Sequence, residues 1–164
     1  MKRIFLILLT AVLLLPVALS AKTPTVDDLF KEFSSAPKVE AVSVNPFMMT
    51  VAKMFVGNDS NAQIVKKINS VRLLDLEECP SSVRTRFAKR VSNIQLKGME
   101  NLVDVKDDGD KVKILAKIKK DKIQKLLVLS YGDDDCCLVE INGKFEMKDV
   151  DGVVKSQKPR HNGR

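Results

Sequence analysis

Tryptophan is absent from this chain of 164 residues, tyrosine and histidine occur once each, and cysteine occurs three times. Each shortage removes a class of chemistry. Sugar-binding platforms are built on aromatic faces, and with Tyr131 as the sole tyrosine a carbohydrate-binding module is not expected. A cysteine or serine nucleophile needs a neighbouring base. The one histidine, His161, lies in a C-terminal stretch without apolar residues, and no Gly-x-Ser-x-Gly turn is present. Three cysteines at two places offer no C-x₂-C pair, so a tetrahedral zinc site cannot be assembled. No catalytic residue, metal or cofactor is therefore expected, and the chain does not read as an enzyme.

Long apolar runs are missing as well, with one exception. Lys2 and Arg3 precede an apolar stretch from Ile4 to Pro16, and Ala18 and Ser20 take the −3 and −1 places of a cut after Ser20. Residues 1–20 read as a secretory signal peptide. A single-pass anchor, which needs roughly 17–25 apolar residues, is the rival; Pro16 and the small residues behind it favour cleavage. No cysteine follows the run, which closes the lipoprotein route. The expected product is periplasmic or secreted, soluble after cleavage, with no transmembrane anchor.

Charge looks one-sided at first, with a formal +7. Lys2 and Arg3 leave with the signal, and Lys155, Lys158, Arg160 and Arg164 crowd the last ten residues, so residues 21–154 carry only +1. Nucleic-acid binding needs clustered cations on a folded surface, and no nucleic-acid partner is expected. Residues 155–164 read as a disordered basic tail, leaving 21–154 as a single domain. Cys79, Cys136 and Cys137 enter an oxidising compartment as an odd number. A disulfide from Cys79 to Cys136 or to Cys137 fits the spacing, and so does at least one cysteine as a small buried hydrophobe.

Along the chain, Thr25 caps a short helix whose stripe is Val26, Leu29, Phe30 and Phe33. Residues 39–44 read as a strand. Asn45-Pro46 then starts a helix carrying Phe47, Met48, Val51, Met54 and Phe55 and ending at Gly57. A polar link over 58–63 leads to a strand over 71–76. Pro80-Ser81-Ser82 opens a helix with Val83, Phe87 and Val91 inward. From Leu102 the period changes to two, giving a meander with turns at Asp107–Asp110, Lys119–Lys122 and Gly132–Asp135. Asn142-Gly143 is read as a tight turn or the end of the last strand. The fold class is α+β: a two-layer sandwich whose mixed sheet combines parallel βαβαβ crossovers with an antiparallel meander, helices on one face.

The signal peptide, the strand–helix unit from Val39 to Phe55 and the strand Ile68-Asn-Ser-Val-Arg-Leu-Leu74 occur with a lysine-rich strand from Val112 and the closing segment Glu140-Ile-Asn-Gly-Lys-Phe-Glu-Met-Lys-Asp149. In these features the chain resembles a family of small exported proteins, a domain of unknown function, from Bacteroides-type bacteria. The resemblance spans most of residues 25–152 and brings no catalytic motif. Members are encoded near extracytoplasmic-function sigma factors, which implies an envelope-signalling context. The double cysteine and the basic tail depart from the family's pattern.

Three clusters remain as candidate sites. Lys111, Lys113, Lys117 and Lys119 alternate with apolar residues and would form either an anion patch or a solvated face that discourages edge pairing. Asp133, Asp134 and Asp135 crowd one turn and Asp107, Asp108 and Asp110 another. Without a spaced calcium loop they read as solvated turns that would share one sheet end. The Phe and Met stripe from Phe47 to Phe55 reads as helix-on-sheet core, with one of Met48 and Met49 left pointing outward. The expected function is a non-enzymatic interaction module of the cell envelope, binding another envelope protein or itself through an uncovered sheet face or the Met-rich helix. The alternative is a periplasmic small-ligand or anion-binding protein using the Lys111–Lys125 strand face.

Overall fold

The computed structural model describes residues 24–57, 60–92, 94, 96–107, 109–132 and 135–149. The signal peptide over 1–20, the tail over 155–164 and both boundaries of the 21–154 domain lie outside them.

Two helix starts are made by the residues that the sequence marks for them. In α1 (Val26–Phe33) the Thr25 hydroxyl accepts from the Asp28 amide at 3.2 Å, and the Asp28 carboxylate accepts from the Thr25 amide at 2.9 Å, a reciprocal box at the positive end of the helix. In α2 (Pro46–Met54) the Asn45 side chain accepts from the Met48 amide at 2.9 Å, with Pro46 in the first turn. A helix α3 (Ser60–Lys67) occupies the segment expected to be a polar link. Helix α4 (Ser81–Ser92) buries Val83, Phe87 and Val91.

Strands β1 (Glu40–Val44), β2 (Ile68–Asp75), β3 (Glu100–Asp107), β4 (Asp110–Lys119), β5 (Lys122–Tyr131) and β6 (Cys136–Phe145) form one sheet in the order β1-β2-β6-β5-β4-β3. Every neighbouring pair is antiparallel. The chain is α+β, and the expected mixed sheet with parallel crossovers is corrected to a fully antiparallel one. One helix between two strands returns the chain to the end where it began, whereas two helices reverse it again. The connection from β1 to β2 holds both α2 and α3, so β2 runs back along β1. The link through α4 does keep β2 and β3 in the same direction, but β6, β5 and β4 lie between them.

The meander from β3 to β6 is as expected. Its β4–β5 turn places Lys120 and Asp121 at φ 52° and 58°, the paired left-handed conformation that suits a two-residue hairpin in a right-twisted sheet. Asn142-Gly143 makes no turn, because β6 continues to Phe145, with a shift of register against both neighbouring strands there.

Alternation along β5 and β6 divides the apolar side chains between two faces. On one, Leu74, Leu115, Leu127, Leu129 and Leu138 meet α1 and α4, with Phe33 and Phe87 edge to face at 5.2 Å. On the other, Ala116, Leu126 and Phe145 cluster with Ile114, Val128 and Ile141, and every member of that cluster comes from a strand.

Candidate functional site

Helix α2 is the least covered apolar element among the described residues. It packs against β2, and within the helix only Met49 is buried. Phe47 is 77 % exposed, Met54 78 % and Phe55, just past the last turn, 84 %, with Met48 and Val51 nearly half exposed. At 3.6 residues per turn, 47, 51, 54 and 55 fall on one side and Met49 on the other. The expected assignment of this stripe to the core is therefore corrected. The helix turns its narrow Met49 side to the sheet and its broad apolar side outward. Of the adjacent methionines, Met49 is the inward one and Met48 the outward one.

A second feature lies at the middle of the sheet. Glu140 is only 1 % exposed, on the same side of β6 as Cys136 and Leu138. It accepts from Arg72, from Lys125 at 2.6 Å and from Asn142 at 3.0 Å. Arg72 also donates to Asp27 at 2.7 Å, and its guanidinium lies 4.2 Å from the centre of the Phe30 ring. Burial alone would raise the Glu140 carboxyl; the hydrogen bonds from Lys125, Arg72 and Asn142 outweigh it and hold the group below its ordinary value. For Arg72 burial acts to lower, and the two carboxylates reverse the sign. This cluster closes one side of a groove of about 330 Å³ between α1 and the β1–β2 pair, lined by Asp27, Phe30, Lys31, Ser43, Arg72 and Leu73. The pattern was present in the sequence as an acid in the inward register of an otherwise apolar strand. Arg72 likewise shares the register of Leu74 and Leu76.

The cysteines are free. Cys79 and Cys136 belong to one core cluster. Cys137 points to the opposite face, opposite Asp75 and Ser130. Burial pushes all three thiols up, Cys136 to about 12, so none is poised as a thiolate nucleophile. Tyr131 is 5 % exposed and closes the core, leaving no ring face for a sugar.

The four lysines of β4 differ in exposure and in their neighbours. Lys113 is half-buried, donates to the Ser92 carbonyl at 3.4 Å at the end of α4, and lies 3.9 Å from Asp104. Lys111 stands opposite Tyr131 and Lys106. Buried Leu115 separates this pair from exposed Lys117 and Lys119. The two acidic turns do share a sheet end: a Cβ on Gly132 would sit 1.9 Å from the Asp110 carboxylate. Asp108, Asp133 and Asp134 lie outside the described residues, and among those described no group of three potential ligands could hold a metal. No helix among the described residues is long and apolar enough to cross a membrane.

A family profile described as Domain of unknown function (DUF4252) matches residues 33–153. The chain belongs to this family. The match begins at the buried Phe33 and takes in all six strands, α2, α3 and α4, so the exposed helix and the Glu140 cluster are both inside the domain. No curated protein and no solved structure matches the chain.

Proposed function

We propose that this DUF4252 domain is a non-enzymatic interaction module, exported by a Bacteroides-type bacterium and acting in the cell envelope, in a signalling context. The observation that carries the reading is the outward stripe of α2. Large apolar side chains exposed at four-residue spacing cost solubility and mark a contact surface. Among the described residues, the thiols and the buried carboxylate are poorly placed for chemistry. The thiols are held protonated, and the buried carboxylate is saturated by two cations and an amide. The signal peptide over residues 1–20 supports export, and the compartment follows from it.

Site-specific photo-cross-linking in the producing cell tests this reading. A photoreactive residue at Met54 is expected to give discrete higher-mass adducts, and the same residue at exposed Lys117 none. Absence of adducts at Met54, or equal adducts at both positions, overturns the reading.

A further inference from the structure

We infer that the occupant of the α2 stripe is a second copy of this chain, the two α2 helices crossing antiparallel about a two-fold axis through Val51. The inference rests on the interaction reading above and names its partner.

The stripe is self-complementary. Phe47 and Phe55 lie four residues on either side of Val51, about 6 Å along the axis in each direction. An antiparallel copy therefore sets Phe47 against Phe55 of the second chain, twice, and brings the small Val51 onto its own copy where the helices come closest. A two-fold interface requires that reciprocity, each residue meeting one that meets it in return. The antiparallel arrangement also places each helix N-terminus beside the other's C-terminus.

Chemistry argues against a different occupant. Phe47, Met48, Val51, Met54 and Phe55 offer neither a charge nor a strong hydrogen-bonding group, whereas contacts between different proteins draw specificity from polar groups. Helices that lie on membranes line their polar face with cations; α2 has only Lys53. Area agrees. Two phenylalanines bury on the order of 150 Å² each, and with the two methionines and Val51 the stripe presents roughly 600 Å² per copy. Complete burial of both stripes removes about 1,200 Å² in total, the low end of the range for stable, specific interfaces.

The test is sedimentation equilibrium of the full chain as the producing cell accumulates it. The wild type is expected at twice the chain mass. Val51→Glu, which sets two carboxylates on the axis, is expected at the single-chain mass, with a melting curve matching the wild type at concentrations low enough to exclude association. Phe47→Lys and Phe55→Glu should each lose the pair, and the double variant Phe47→Lys/Phe55→Glu should regain it, because position 47 faces position 55 only in the antiparallel arrangement. A wild type that stays single up to about 100 µM, a Val51→Glu variant that still pairs, or a double variant that does not recover overturns the inference. Binding of single chains to phosphatidylglycerol vesicles would do so as well. If the wild type is single yet Met54 cross-links in the cell, self-pairing fails and the interaction reading stands. If Met54 also gives no adduct, both fail.

Discussion

Helices α1 and α2 each begin on a capped turn and each carry an apolar stripe, yet they end in opposite environments. In α1, Leu29 and Phe33 are fully buried against the sheet and α4. In α2, Phe47 and Phe55 are more than three-quarters exposed and only Met49 is covered. Composition does not separate them, since α2 is the more apolar of the two. Connection does. The chain after α1 has room to turn before β1, and the helix settles across a sheet face that α4 shares. Helix α2 is joined to β1 through Asn45 alone, and this tether orients its Met49 side toward β2. An apolar stripe is a core element only where the topology presents a face to it.

The strongest way to break this comparison is to truncate one phenylalanine on each side. Phe87 is fully buried and meets Phe33 edge to face. Phe87→Ala is expected to cost about 3–5 kcal/mol, measured by urea unfolding at concentrations low enough to exclude association. Under the same conditions Phe55→Ala should stay within about 0.5 kcal/mol of the wild type. Equal losses would mean that α2 is packed as tightly as α4.

The elements governed by near neighbours were legible in the sequence. Thr25, Asn45 and Pro46 act within one turn, and Val83, Phe87 and Val91 repeat at the spacing of one helix face. The period-two stretch after Leu102 became the meander. What failed was non-local. Ser60–Lys67 has only the adjacent Ile64 and Val65 as large apolar residues, too little to show a helical stripe. Missing that helix reversed the expected direction of β2 against β1. No local signal says that β6 inserts beside β2, yet that pairing is what brings Arg72 to Glu140. The stripe of α2 was visible, but not the side of the helix that the sheet would take.

The Arg72–Glu140 pair sharpens the contrast, because it is buried polarity held in place beside apolar surface left exposed. Arg72→Ala removes one of two cations from a buried carboxylate and also the contacts to Asp27 and Phe30. A loss of about 2 kcal/mol at pH 7 is expected, below the roughly 3–5 kcal/mol of a fully broken buried pair because Lys125 remains. The pH dependence has a definite sign. The folded-state value of Glu140 lies below the ordinary 4.5, so its contribution is complete above pH 4.5 and is lost as pH falls through the depressed value. In Arg72→Ala less holds the carboxyl down, so the window between the ordinary and the folded-state value narrows, and the decline on acidification should be smaller and end at a higher pH. Parallel pH profiles for the two proteins would show that the pair does not set the titration of Glu140.

The smallest expected effect tests the same contrast with matched defects. Thr25→Ala and Asn45→Ala each delete a side-chain acceptor at a helix start, a loss worth about 1 kcal/mol to the helix concerned. In α1 the frayed turn carries Val26 and leads to Leu29, so the loss should appear almost in full in the global unfolding free energy. In α2 the turn leads to a helix anchored by Met49 alone. Asn45→Ala should therefore shift global stability by only a few tenths of a kcal/mol, because α2 opens without the sheet. Its signature should be local: faster hydrogen exchange at the Met48 and Met49 amides, with the amides of β5 and β6 unchanged. Equal global losses for the two substitutions would show that α2 unfolds with the core rather than ahead of it.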